Sequence, residues 1–211
     1  MKKLISLVLV LVCVLALAAC APTADTGTKD IFALAEAKAT PTRIVTGVKY
    51  LSDGTAYEGR YVTESEGQNA IMTYSYQRPA RLDEMADSET KTVTGKLYYK
   101  DGKVSSDGAT YETESLGWTG VGFTLVKDAL TEIRLSEDGR ELTAQVAPAN
   151  AEQVFGSAIE TDGTDILLTV KSNGTHLTAV NIAYTAKSGA QVTIETSRSY
   201  NAVQLDFPSD K

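Results

Sequence analysis

Beyond residue 42, apolar and polar residues alternate with a period of two, which is the pattern of strands that bury one face. In the second and third of these segments, one face collects aromatic side chains and a methionine: Tyr57, Tyr61, Met72, Tyr74 and Tyr76. Short turn sequences separate the segments, among them Asp53-Gly54, Asp101-Gly102, Asp138-Gly139 and Asn173-Gly174. Asp-Gly and Asn-Gly supply the positive φ of tight hairpin turns, so the pattern predicts successive antiparallel hairpins.

Roughly ten strand-like segments are present, too many to remain a flat open sheet. The later segments include residues 69–78, 92–99, 109–114, 121–126, 131–135, 141–146, 165–171 and 175–186, and the last contains Val203, Leu205 and Phe207. We therefore expect a mainly β (α+β) fold. It is a curled antiparallel sheet or half-barrel of roughly ten strands, with one or two short helices packed on it.

Two segments have helical rather than alternating spacing. Residues 30–38 place apolar positions three and four apart behind a polar cap candidate, Asp30, and end before Pro41. Residues 149–157 show the same spacing and reach Gly156, a residue suited to the left-handed conformation that ends many helices. The spacing predicts one short amphipathic helix in each place.

Residues 1–19 differ from the rest of the chain. Lys2 and Lys3 precede an uncharged, largely apolar run from Leu4 to Ala19. A positive patch, an apolar run and small residues at the end are the parts of an export signal. The run is shorter than the roughly 20 residues of a membrane-spanning helix. It is therefore interpreted as a cleaved signal peptide.

The sequence Leu17-Ala18-Ala19-Cys20 resembles the lipobox of bacterial lipoproteins. The resemblance implies that the Cys20 thiol receives a diacylglyceryl group and that the signal is cut just before it. Acyl chains, at roughly 0.8 kcal/mol per buried CH₂, would then hold the protein on a bilayer. The alternative is ordinary secretion with cleavage after Ala19 and a free Cys20.

This interpretation divides the chain into three parts. Residues 1–19 are the lipoprotein signal peptide, residues 20–29 a lipidated tether of small polar residues, and residues 30–211 a single β-rich half-barrel domain. The location it implies is extracytoplasmic, on the bacterial cell surface, with the membrane reached through the lipid on Cys20. The sequence leaves open whether the envelope has one membrane or two.

Charge and cysteine content narrow the function. The chain has 27 acidic and 20 basic residues, a net charge of −7, which disfavours contact with nucleic acid. Its two cysteines are Cys13, inside the signal, and Cys20, so the exported body is expected to contain no disulfide.

The sequence contains little that could support catalysis. Its one histidine, His176, follows an Asn-Gly turn, where a structural role is expected. No HExxH, paired cysteines or GxSxG elbow occurs, so we predict no metal, no cofactor, no catalytic residue and no enzyme. A hydrolase built on two carboxylates remains a remote alternative, because acidic residues are plentiful.

Residues 117–122 form a glycine-rich patch around the single tryptophan, Trp118. A phosphate-binding loop would need a helix after it, and the residues that follow are β-like. The patch is either a β loop with an aromatic contact, or Trp118 lies on the rim of a ligand-binding mouth.

The order of elements in residues 30–208 resembles the LolA/LolB-like half-barrel superfamily, which includes LppX/LprG-like lipid-binding lipoproteins and uncharacterised Gram-positive surface lipoproteins. The elements are a tether, a short helix, a curling antiparallel sheet with a second short helix, and a closing segment, residues 203–208. The resemblance implies a concave face and a lid helix around an apolar cavity. The candidate lining residues, which come from the face pattern and the rim interpretation, are Tyr57, Tyr61, Met72, Tyr74, Tyr76 and Trp118.

Three functions follow from these features. The first is a lipid or hydrophobic-ligand carrier or sensor, held at the membrane. The second is a non-enzymatic structural or protein-interaction lipoprotein of the envelope. The third is a carboxylate-based envelope hydrolase.

Overall fold

The computed structural model describes residues 30–37, 39–80, 90–112, 123–156 and 159–208. The predictions for residues 1–29, including the signal peptide, the tether and Cys20, and the prediction for Trp118 lie outside these ranges. The described strands are β1 (Arg43–Ser52), β2 (Thr55–Glu66), β3 (Asn69–Pro79), β4 (Thr90–Lys100), β5 (Lys103–Ser105), β6 (Leu130–Leu135), β7 (Glu141–Val146), β8 (Ile166–Ser172), β9 (Leu177–Thr185) and β10 (Gln191–Ser199).

The ten strands form one curled, unclosed antiparallel sheet in the order β5-β4-β3-β2-β1-β10-β9-β8-β7-β6. It consists of two meanders, β1 to β5 and β6 to β10. They are joined where β1 pairs with β10, in a register that includes Thr46 opposite Thr196. This arrangement confirms the mainly β fold with roughly ten strands. The turn residues behave as expected, since Gly54 has a φ of +79° and Gly102 a φ of +75°.

Both predicted helices are present and short. Helix α1 (Ile31–Glu36) begins after Asp30, whose side chain accepts a hydrogen bond from the Phe32 N–H at 3.4 Å. Helix α2 (Ala151–Phe155) follows a single 3₁₀ turn, Pro148–Asn150, and ends at Gly156, which has a φ of +69°. The left-handed glycine closes α2 because it carries no Cβ to clash with the last turn.

Three predicted strands do not form in the described residues. Residues 109–112 make only one bridge, between Glu112 and Val104, and residues 123–126 lie outside any strand. The closing strand around Val203 to Phe207 is also wrong, because β10 ends at Ser199. Residues 202–208 alternate between exposed and half-buried positions without a strand partner, and the Phe207 ring lies 6.2 Å from the Tyr98 ring. Alternation therefore reflects one-sided packing here, not sheet pairing.

One face of the sheet, called here the inner face, carries most of the apolar side chains of the strands, such as Val48, Met72, Leu142 and Leu168. Its residues in the second meander and the two helices form the core cluster. Fully buried examples are Ile31, Leu142, Ile166, Leu168 and Val154, each 0% exposed. The core therefore lies between β6 to β9 and the helices α1 and α2.

Candidate functional site: a tyrosine-lined hollow

The two halves of the inner face differ in how far other parts of the chain cover them. In the second meander, inward residues such as Leu168 and Ile182 are at most 1% exposed, because the helices pack on them. In the first meander, the same face carries tyrosines that remain half-buried. Of the described hydrophobic residues in β1 to β5, only Met72 and Val104 are buried, at 6% and 7% exposed. The first meander thus presents an apolar face that the described residues leave open.

This open part of the inner face encloses a hollow of about 750 Å³. Strands β1 to β4 contribute Val48, Tyr50, Tyr61, Met72, Tyr74, Tyr76 and Leu97, and the segments around β9 and β10 contribute Tyr184, Ala186, Val192 and Ile194. The volume lies within the range of about 300 to 1,000 Å³ that is typical of small-molecule sites. No carboxylate or basic group is part of this lining.

Strand register brings the tyrosines together. Tyr61 of β2 lies directly opposite Tyr74 of β3, and Tyr50 of β1 opposite Tyr57 of β2. The Tyr74 and Tyr76 rings stack with centroids 6.1 Å apart, and the Tyr50 and Tyr57 rings are tilted with centroids 6.3 Å apart. Aromatic pairs on one sheet face stabilise it and give a rigid apolar surface.

Two glycines on the same face make room for the rings. A Cβ at Gly95 would collide with the phenol of Tyr74, its cross-strand partner. A Cβ at Gly59 would lie 3.1 Å from Cε2 of Tyr61 and 3.4 Å from Cβ of Tyr76. The rings therefore lie close to the glycine backbone. This shapes the hollow and shields strand positions that have no side chain of their own.

The electrostatics of the hollow favour neutral groups. Burial raises the pKa of Tyr61, and the neighbouring Tyr76 raises it further. Burial also raises the pKa of Tyr184, with a smaller contribution from Tyr50. In both cases a low-dielectric surrounding disfavours the phenolate. Tyr61 and Tyr184 therefore stay neutral at physiological pH, and their hydroxyls add polar points to an apolar wall.

The structure brings together four of the six predicted lining residues: Tyr61, Met72, Tyr74 and Tyr76. Tyr57 lies outside the lining but contacts Tyr50, which belongs to it. Sequence reasoning missed Tyr50, Val48 and Leu97, although they alternate in the same way. It also missed the residues around β9 and β10, because their pattern gives no sign that β10 pairs with β1.

The remaining residues with potential catalytic chemistry are His176 and the acidic residues. His176 stacks on Tyr200 with ring centroids 4.2 Å apart, in a turn where the Asn173 side chain accepts its backbone N–H. No group of three or more His, Cys, Asp or Glu residues within the described ranges could hold a metal ion. None of the helices described above is long and apolar enough to cross a membrane.

Fold and hollow together define a class: an open, half-barrel-like antiparallel sheet whose inner face is covered by helices at one end and concave and apolar at the other. Comparison with known proteins adds no closer assignment, since no family model matches the chain and no curated protein matches it.

Proposed function

We propose that the chain is a membrane-tethered extracytoplasmic lipoprotein whose tyrosine-lined hollow binds a lipid or another hydrophobic ligand, as a carrier or a sensor. The observation that carries the proposal is the contrast along one sheet face. Helices cover the apolar residues at one end, while an apolar hollow of about 750 Å³ stays open at the other. The resemblance to LolA/LolB-like half-barrels supports the same function.

Physical chemistry favours an apolar occupant. Tyrosine rings, Met72, Leu97 and Ile194 offer contact area without a charged partner. Covering apolar surface is worth about 25 cal/mol per Å² removed from water. A hydrocarbon chain gains this contribution at every contact, whereas a charged ligand would find no counter-charge in the lining. The hydroxyls of Tyr61 and Tyr184 can orient a ligand that carries one polar group.

The tether is the second part of the proposal, and the lipobox sequence that ends at Cys20 supports it. A body held beside a bilayer could take apolar molecules from it directly. Metabolic labelling with an alkyne fatty acid tests this part. Wild-type protein should become labelled, and Cys20→Ala should not. A mature protein with an unmodified sulfur at Cys20 would contradict it.

A charge placed in the hollow tests ligand binding. Leu97→Glu puts a carboxylate among the tyrosines, whereas Thr94→Glu puts the same charge on the exposed outer face of the same strand. Native mass spectrometry of the full chain from a lipid-rich host should show bound apolar ligand in the wild type and Thr94→Glu. The ligand should be lost from Leu97→Glu.

Bare protein in every sample would count against ligand binding. It would favour a protein-interaction lipoprotein, for which the open tyrosine surface is also suited, because tyrosine is common in protein contacts. Crosslinking in cells from Tyr76, at the hollow, would then capture a protein. The absence of carboxylates from the lining gives no support to the hydrolase hypothesis, and we do not propose it.

A further inference from the structure

A second cavity lies at the other end of the molecule, where helix α1 meets the end of β10. It has a volume of about 540 Å³. Its apolar walls come from Leu34 of α1, from Phe123 and Leu125, and from Leu177 at the start of β9. Arg198 of β10 also lines it and is the one basic residue in the lining. This cavity therefore combines apolar walls with a positive charge, which the tyrosine-lined hollow lacks.

Arg198 points into this cavity on the inner face, next to Ile44 of β1. Its guanidinium carbon lies 5.4 Å from the centre of the Phe123 ring, so the ring covers one side of the cation. Its Nε is buried and has no hydrogen-bond acceptor among the described residues. No ion pair within the same ranges joins Arg198 to a carboxylate, although Glu36 also lines the cavity.

The neighbouring Tyr200 does not neutralise this charge. Its hydroxyl donates its proton to the carbonyl oxygen of Leu177 at 2.9 Å. The hydroxyl can therefore only accept a hydrogen bond from the guanidinium. Arg198 lowers the pKa of Tyr200, but burial has the larger effect and raises it. A guanidinium that is partly removed from water and lacks a carboxylate is costly, because a buried charge needs a partner of opposite sign.

We propose that this cavity is a second ligand site, separate from the tyrosine-lined hollow, and that it binds a small amphipathic anion. Arg198 would hold a carboxylate or similar oxyanion, and Leu34, Phe123, Leu125 and Leu177 would hold the apolar portion. The planar guanidinium suits an oxyanion because it can donate two parallel hydrogen bonds. The volume limits the ligand to a small one.

Calorimetric titration of the full-length chain in phosphatidylcholine nanodiscs tests the proposal, with sodium octanoate as the probe and empty nanodiscs as the reference. Octanol, which has no charge, and acetate and inorganic phosphate, which have no apolar portion, are the comparison probes. Octanoate should bind at least tenfold more tightly than each of them, since charge and apolar contact contribute together.

Three variants separate this site from the rest of the molecule. Arg198→Met keeps an unbranched apolar side chain and removes the charge, and should weaken octanoate binding about tenfold, the loss of a charge-assisted hydrogen bond. Arg60→Met removes an exposed charge from the outer face and should leave binding unchanged. Glu36→Gln removes the negative charge from the cavity wall and should strengthen binding. Thermal unfolding of each variant checks that it is folded.

Equal octanoate binding by wild type and a folded Arg198→Met would overturn the proposal. So would an equal loss of octanol and octanoate binding in Arg198→Met, a comparison that leaves out any octanol held in the tyrosine-lined hollow. Acetate or phosphate binding as tightly as octanoate would overturn the amphipathic ligand, because the apolar walls would then contribute nothing. Arg198→Lys adds a graded check: it retains charge without the planar fork, and binding should fall between those of wild type and Arg198→Met.

Discussion

Two tyrosines of the hollow owe their positions to neighbouring glycines. Tyr74 lies over Gly95 of the adjacent strand, and Tyr61 lies beside Gly59 of its own strand. Neither glycine has a positive φ, so neither is needed for an unusual backbone conformation. What each provides is space for an aromatic ring. The shape of the hollow therefore depends on these two glycines as much as on the tyrosines.

Gly95→Ala should disturb this arrangement, because the added methyl group collides with the Tyr74 phenol. Overpacking of this kind costs about 1 to 3 kcal/mol, and the displaced ring should also weaken hydrophobic-ligand binding. Gly47→Ala is the matched control. It lies on the outer face of β1, and its Cβ would meet only the Glu195 carbonyl oxygen at 3.9 Å.

Urea unfolding of both variants measures the difference. Gly47→Ala should equal or exceed wild type in stability, since alanine restricts the unfolded chain. If Gly95→Ala were as stable as Gly47→Ala and bound ligand equally well, the ring would not depend on the glycine for its position.

The raised pKa of Tyr61 predicts a loss of stability at alkaline pH. An unfolded tyrosine ionises near pH 10, whereas burial and Tyr76 keep the folded one protonated to a higher pH. Above about pH 10 the unfolded state therefore binds fewer protons, and the free energy of unfolding falls as pH rises. Tyr61→Phe should make this fall shallower. Urea unfolding between about pH 8 and 11 measures it, and the slopes should agree below about pH 9.

At the scale of elements, the turn at residues 105–110 forms the surface against which residues 200–208 pack. The Asp107 carboxylate accepts hydrogen bonds from the N–H groups of Ala109 and Thr110, both at 2.9 Å. These bonds, with one from Ser105, lower its pKa to about 2. Gly108, at a φ of +76°, then comes close to Pro208. The turn is thus fixed by its own hydrogen bonds, and the segment packs against it.

Gly108→Ala should detach residues 200–208 from this turn, because a Cβ at position 108 collides with the Pro208 ring. Gly102→Ala is the matched control, since its φ of +75° imposes the same backbone strain while its Cβ would meet nothing within 4 Å. Limited proteolysis followed by mass measurement should show faster cleavage within residues 200–208 of Gly108→Ala alone. Equal cleavage of the two variants would show that the contact with Pro208 does not hold the segment.

The sequence predicted the elements better than their partners. Asp53-Gly54 and Asp101-Gly102 marked hairpins because both residues of each pair adopt positive φ. The strand expected around Val203 failed because alternation reports which side chains are buried, not what buries them. Similarly, no local sequence pattern indicates that Val48 pairs with Ile194, since 146 positions separate the two. The part of the hollow on β2 and β3 was therefore predictable from the sequence, and the part around β9 and β10 was not.

At the scale of the whole molecule, stability and binding are expected to come from different halves of one sheet. Leu168 is 0% exposed within the core cluster, whereas Leu97 lines the open hollow. Both lie on the inner face and follow the same period-two pattern. The sequence could not separate them, because the cover over the second meander comes from helices elsewhere in the chain.

Replacing each of these two leucines by alanine tests whether stability and binding come from different halves of the sheet. Leu168→Ala should cost about 2 to 5 kcal/mol, the range for a fully buried leucine. Leu97→Ala should cost less, since less of its surface leaves water on folding, but should weaken hydrophobic-ligand binding. Urea unfolding and native mass spectrometry of the two variants measure both quantities. Equal destabilisation by the two changes would mean that the hollow is part of the same closed core.

The pairing of β1 with β10 also governs how the chain can acquire its shape. Thr46 and Thr196 meet across this seam with hydroxyl oxygens 3.4 Å apart, although 150 positions separate them in sequence. Every other strand pair joins neighbours along the chain and can zip locally. Closing the seam costs far more loop entropy and is expected to be slow. Until it closes, β1 and β10 both expose unpaired edges, and a newly made chain is most vulnerable to aggregation in that interval.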